Sequence, residues 1–183
     1  MTPARVGPAL VRRRFEWPLI ALVVIADQLS KLFVVLELGL HESVPVLRGV
    51  LDLTHVRNTG AAFGFLNAAE FPGKPIVIAV VALGALVGVS LYASQLPPAH
   101  WLARLGLALI LGGATGNLID RLRQGYVVDF VDMYWGDWHF WAFNVADAAI
   151  SVGVGIIIID LLRPAHAGLP PDTAHESESS SAT

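Results

Sequence analysis

The chain has 183 residues, 55% of them hydrophobic, and a mean hydropathy of +0.62, far above a soluble domain; it reads as an integral membrane protein. A formal net charge of -3, with basic residues gathered towards one end rather than along a stripe, implies no nucleic-acid partner. There is no cysteine, and the six histidines show no paired-ligand spacing, which sets aside disulfides, thiolate nucleophiles, cysteine lipidation and a zinc hydrolase.

Residues 1–17 carry Arg5, Arg12, Arg13 and Arg14 without a comparable apolar run and read as a basic arm on the cytoplasmic side. Residues 18–36 have the length of a spanning helix, exceed a signal-peptide core and lack a small-x-small cleavage site, so this segment is expected to be retained. Within it Asp27 and Lys31 stand at i,i+4 and share a face, a spacing that suits either a structural ion pair or part of a site. Residues 37–73 form a loop long enough to hold structure of its own. Strands are expected at 43–47 and 51–56, with a short amphipathic surface helix over 63–71. Between them, Asn58-Thr-Gly60-Ala-Ala-Phe63 invites a turn with room for close approach, and alone it is an ordinary turn.

The second span is expected over 75–92, followed by a cytoplasmic turn at Gln95-Leu-Pro-Pro98, and the third over 101–121. Gly112 and Gly116 form a small-xxx-small pair that signals close helix contact. That contact leaves Asn117, Asp120 and Arg121 unexplained, although Asn117 and Arg121 share a face. Residues 122–139 form a second external loop with Asp129, Asp132 and Asp137 among aromatics. The fourth span is expected over 140–162, with Asn144, Asp147, Ser151 and Gly155 on one stripe and Asp147 about two turns inside. Residues 163–183, rich in Pro, Ser, Glu and Ala, read as a disordered cytoplasmic tail.

Four spans with the arginine-rich end inside place both termini in the cytoplasm and both longer loops outside. Helical rise then brings Asp27, Lys31, Asn117 and Arg121 to one level near the outer face, with Asp147 about 8 to 10 Å below the outer entry. An ionised Asp147 in an apolar run costs a few kcal/mol or more without a partner. A second carboxylate nearby, Asp129, suggests a pair sharing one proton, which is chemistry for activating water. Two other classes fit the same polarity: a small proton-coupled transporter or channel, and a non-catalytic assembly subunit. Ser30 and Lys31 are neighbours that point apart on a helix, which argues against a Ser-Lys dyad. No GxGD pattern surrounds Asp129 or Asp147.

Five blocks carry a resemblance: Asp27-Gln-Leu-Ser-Lys31, Asn58-Thr-Gly-Ala-Ala-Phe63, Gly112-Gly-Ala-Thr-Gly-Asn117 with Asp120-Arg121, Gly125-Tyr-Val-Val-Asp129-Phe, and Phe143-Asn-Val-Ala-Asp147. In this order and spacing they resemble lipoprotein signal peptidase, also called signal peptidase II, a family of bacterial integral membrane aspartyl proteases. The resemblance implies four transmembrane helices with a small extracytoplasmic β-cradle and a short surface amphipathic helix. It also implies cleavage of a prolipoprotein just before a lipobox cysteine that carries a diacylglyceryl group, with no metal or cofactor. Asp129 and Asp147 would be the catalytic pair. Asn58, Gly60, Asn117, Arg121, Asn144 and Asp120 would bind substrate or support the pair, and Asp27 with Lys31 would support it too. The implied setting is the plasma (inner) membrane, the implied partners are prolipoprotein and lipid, and the chain is expected to act as a monomer.

Overall fold

The computed structural model describes residues 16–60 and 71–163. Within them lie four helices long and apolar enough to cross a membrane: α1 (Glu16–Glu37), α2 (Lys74–Gln95), α3 (Trp101–Gln124) and α4 (Val145–Leu162). The 22 residues of α1 rise about 33 Å, the thickness of a hydrocarbon core. Strands β1 (Ser43–Leu47) and β2 (Leu51–Asn58) lie between α1 and α2, and β3 (Val127–Trp135) and β4 (Trp138–His139) between α3 and α4. They form one antiparallel sheet in the order β1-β2-β3-β4, at the end of the bundle where α1 finishes and α4 starts.

Helix α3 occupies the middle of the bundle. Its buried positions run from Ala103 to Asp120, whereas α2 buries only Lys74, Ile78 and Ala79 and leaves its other faces to lipid. Small residues permit the close approach. A Cβ on Gly112 would lie 2.8 Å from Val23 Cβ of α1, and one on Gly153 of α4 would lie 2.9 Å from Ile110 Cγ1 of α3. The expected small-xxx-small contact is therefore present, with Gly112 packed on α1. At the end away from the sheet, Glu16 and Arg104 pair across α1 and α3.

The sheet is tied to the bundle in two ways. Val34 and Leu38 from the end of α1 bury against Val128 and Phe130 of β3, with Leu53 and Val145 packed around them. Gly125 ends α3 at φ +80°, a left-handed conformation glycine adopts without strain, and its N–H bonds Arg121 O at 3.0 Å. Only Tyr126 then separates this cap from β3, so Asp129 is reached directly from the end of α3.

A bulge sets the register between β2 and β3. Leu53 faces Val131 and Val56 faces Asp129, leaving Thr54 and His55 opposite Phe130 alone. Beyond it Asn58 faces Val127, diagonal to Asp129 on the neighbouring strand.

The strands expected at 43–47 and 51–56 are present, the second running on to Asn58. Two expectations need correction. Residues 122–139 are not merely a loop, since β3 and β4 extend the sheet; Asp129 and Asp132 interrupt the apolar pattern that would have marked a strand. The fourth helix starts at Val145 rather than at 140. Phe143 is bridged to Val131, with Val131 N–H to Phe143 O at 2.8 Å and Phe143 N–H to Val131 O at 3.1 Å, which holds the chain extended up to the Asn144 cap. Asp147 consequently sits in the first turn of α4, not two turns inside it. The surface helix expected over 63–71 falls almost wholly outside the described residues, as do most of the basic arm and the tail.

Candidate active site

Asn144 and Asp147 build the entry to α4. The Asn144 side-chain oxygen accepts the Asp147 N–H at 2.9 Å, while an Asp147 carboxylate oxygen accepts the Asn144 N–H at 3.3 Å. This reciprocal capping box satisfies two helix-end donors and fixes the Asp147 backbone and side chain together. A carboxylate here also meets the positive end of the helix dipole, which offsets part of the cost of holding charge in an apolar bundle. The second Asp147 oxygen accepts from Asn117 Nδ2 at 2.8 Å.

Asp129 is buried on β3 and accepts two side-chain amides, Asn144 Nδ2 on Oδ1 at 2.7 Å and Asn58 Nδ2 on Oδ2 at 2.9 Å. Asn144, fully buried, therefore bonds one carboxylate with its amide nitrogen and caps the helix turn of the other with its amide oxygen. Burial, and after it the charge of Asp147, push the Asp129 carboxyl up to about 7, against the pull of the two amide bonds and of Lys31. A carboxyl in that range exchanges its proton near neutral pH.

Beneath the pair lies a buried ionic cluster. Lys31 Nζ sits 2.8 Å from Asp27 Oδ2, 2.9 Å from Asp120 Oδ2 and 2.9 Å from Asn117 Oδ1. Each of its carboxylate partners also holds backbone. Asp27 Oδ1 accepts the Ala146 N–H of α4 at 3.0 Å, and Asp120 Oδ2 accepts the Val128 N–H of β3 at 3.4 Å. One ammonium thus links the carboxylate that grips the element carrying Asp147 to the one that grips the element carrying Asp129. Gln28 Nε2 donates to Asp120 Oδ1 at 2.9 Å, to Asp27 Oδ2 at 3.2 Å and to Gly116 O at 3.3 Å. Such bonding is what permits three ions to be buried at all.

Arg121 guards the opening. Its guanidinium donates to Asn117 O at 3.2 Å and to Gly60 O at 3.3 Å. The Gly60 N–H in turn bonds Asn58 Oδ1 at 2.9 Å, so one tight turn is tied both to Arg121 and to the residue on Asp129. Lys74 Nζ reaches the same turn through Thr59 Oγ1 at 3.2 Å. A cavity of about 510 Å³ opens beside these groups, with Asn58, Arg121 and Asp147 in its wall and Met133, Trp138, Phe140, Trp141 and Val152 supplying apolar surface. A mostly apolar cleft with a few convergent polar groups is the usual form of a binding site. Among the described residues no three His, Asp or Glu side chains come together as a metal-ligating group.

All ten residues singled out from the sequence meet in this network. Asp120 and Lys31 lie one step further from the opening than Arg121 and Asn58, and neither bonds directly to Asp129 or Asp147. Residues 61–63 of the Asn58 block lie outside the described residues. The sequence does not single out Gln28 or Lys74, since an internal amide and a helix-start lysine carry no motif signal, although Gln28 is a polar residue beside Asp27 within a span.

Residues 19–163 match the family model described as signal peptidase (SPase) II. A lipoprotein signal peptidase of Shewanella pealeana is 48% identical over 147 residues, 80% of this chain and 85% of its own length. That of Syntrophotalea carbinolica is 48% identical over 138 residues, 75% of this chain and 84% of its own. Two bacterial membrane-enzyme structures solved by the in meso method superpose with TM-scores of 0.73 and 0.72 at 28% and 29% identity. They cover 81% and 91% of this chain, and 93% and 94% of their own. The chain belongs to the signal peptidase II family of membrane proteases.

Proposed function

We propose that Asp129 and Asp147 hydrolyse the peptide bond before a diacylglyceryl-modified cysteine in prolipoproteins, releasing the signal peptide. The observation that carries this reading is the Asn144 side chain, which bonds Asp129 and caps the turn of Asp147, so that two carboxylates from different elements are held to one amide. With one proton shared between them, the ionised carboxylate removes a proton from water as the water oxygen bonds to the scissile carbonyl carbon. The protonated carboxyl gives its proton to the carbonyl oxygen, forming a gem-diol. On collapse the C–N bond breaks, the newly protonated carboxyl protonates the leaving cysteine nitrogen, and a gem-diol hydroxyl returns a proton to the other carboxylate. The products are a carboxylic acid and a free α-amine, and the pair regains its starting charge. Which aspartate takes which part is a property of the coupled pair.

Arg121, Asn58 and the Gly60 backbone would bind the peptide, while the cavity's apolar wall would face the acyl chains. The arginines near the N-terminus support cytoplasmic termini, and with them a site near the outer face of the plasma membrane. The chain would act as a monomer, since both carboxylates and their supports come from one copy. Membership of a protease family removes the reason to prefer a transporter or an assembly subunit. The test is cleavage by the purified protein of a precursor with and without the diacylglyceryl group. Cleavage confined to the lipidated form supports the reading, and equal cleavage of both contradicts the substrate assignment.

A further inference from the structure

The β3–β4 hairpin has two faces of opposite character. Tyr134 faces His139 and Trp135 faces Trp138, and side chains alternate along a strand, so Met133, Trp135 and Trp138 share one side and Asp132, Tyr134 and His139 the other. The polar side is bonded to the sheet. His139 Nδ1 lies 3.0 Å from Asp132 Oδ2, the Tyr134 ring stacks on His139 at 5.1 Å, and the Tyr134 hydroxyl accepts the Gly49 N–H at 3.0 Å. The aromatic side is bare: Trp135 is 83% exposed, Trp138 64%, and Trp141, just beyond the hairpin, 62%. Leaving three indoles in water forfeits much of the gain from burying apolar area.

The surface that would cover them is indicated by continuity. Trp138, Phe140 and Trp141 pass through edge and tilted ring contacts of about 6.2 Å into the cavity wall, which continues into Val152 of α4. Below Val152 the exposed apolar residues of this spanning helix are Val154, Ile158, Ile159, Leu161 and Leu162, and Ile159, two turns on, continues the Val152 face. An aromatic strip that joins this apolar surface at its sheet end, backed by a polar face, has the amphipathic form that indole side chains adopt at the headgroup level. We propose that the β3–β4 hairpin is an interfacial anchor, its Trp135 and Trp138 face lying in the headgroup–acyl boundary of the bilayer and its His139 and Asp132 face turned to water. It sets the height of the neighbouring cavity mouth relative to the lipid. This rests on the four spans and is independent of the part assigned to the aspartates.

The absence of cysteine makes the test direct. Single variants Trp135→Cys, Trp138→Cys and His139→Cys of the full chain are spin-labelled and placed in phosphatidylcholine vesicles, and collisions with oxygen, which concentrates in lipid, are compared with those of a water-soluble nickel chelate. The oxygen-to-nickel ratio should be at least about threefold higher at positions 135 and 138 than at 139. Trp135→Cys and Trp138→Cys report independently, so one poorly folding variant does not remove the test. Equal ratios at all three positions, whether low as in water or high as in lipid, would mean that the two faces share one environment and would overturn the proposal. Shielding of 135 and 138 from both reagents would overturn it in favour of cover by a second copy or another protein.

Discussion

Asp27 Oδ1 accepts the backbone N–H of Ala146 at 3.0 Å, although 119 residues separate them in the chain. The bond places a carboxylate of α1 on the N-terminal turn of α4, one residue before Asp147. Its other oxygen is held by Lys31, so the support of Asp147 is electrostatic and buried. On the proposed reading, this separates residues that hold the site from the two that would react in it.

Asp27→Ala should be strongly destabilising. It leaves Lys31 short of a carboxylate and the Ala146 donor without its acceptor, and breaking a buried pair by removing one partner costs about 3–5 kcal/mol. Thermal unfolding in detergent should show a clear fall in Tm, with activity lost at temperatures where the wild type stays folded. A Tm near that of the wild type would mean the cluster relaxes or hydrates freely.

Arg121→Ala should act mainly on substrate. Its two bonds go to backbone carbonyls at the site's edge, and a guanidinium has five N–H donors, so others are available to a ligand in the cavity. A fall in kcat/KM of about tenfold or more is expected with little change in Tm, and Arg121→Lys should restore little because it lacks the planar fork. Unchanged kinetics with a lowered Tm would make Arg121 a packing residue.

The proton on Asp129 predicts a pH dependence. A pair that works with one proton loses activity as pH rises through the value of about 7, giving an alkaline limb there. Asn58 donates to this carboxylate and lowers its pKa, so Asn58→Ala should move the limb upward by about one unit. For stability the sign is opposite to that of an ion-paired aspartate. The folded protein retains a proton that the unfolded chain loses near the ordinary value of 3.8, so the contribution is full below that value and is lost as pH rises through about 7. Asp129→Asn should flatten the Tm profile over this range.

Glycine substitutions should divide by helix. A Cβ on Gly113 of α3 would lie 2.8 Å from Ile150 Cγ1 and still closer to the Ala146 carbonyl, so Gly113→Ala should force α3 and α4 apart and cost about 1–3 kcal/mol. Among the described residues, nothing beyond α2's own neighbouring backbone lies within 4 Å of such a Cβ on Gly84 or Gly88, and Gly→Ala there should be neutral or stabilising by up to about 1 kcal/mol. Thermal unfolding of the three variants checks the contrast.

The sequence carried much of the site because its signals are short-range. Asp27 and Lys31 lie one helical turn apart, and they pair. Polarity inside apolar runs likewise exposed Asn117, Arg121 and Asp147. The depth of Asp147 was misjudged because Phe140-Trp-Ala-Phe143 is as apolar as a helix interior, and only a cap distinguishes the two. Asn144 with Asp147 three residues later is that cap, and hydropathy does not register it. Strand β3 was hidden because its inward-facing Asp129 contradicts the apolar-in rule that identifies strands, a conflict often met at functional positions. Lys31 joining Asp27 to Asp120 depends on tertiary packing, and spacing alone could propose only the first of these contacts.

The most direct test of the central claim compares wild type, Asp129→Asn and Asp147→Asn for cleavage of a diacylglyceryl-modified precursor, with Tm measured on the same preparations. The account predicts that each variant inserts and unfolds much as the wild type does, while turnover falls by about 10²- to 10⁴-fold or more. Substantial turnover in either well-folded variant would contradict a catalytic pair made of Asp129 and Asp147.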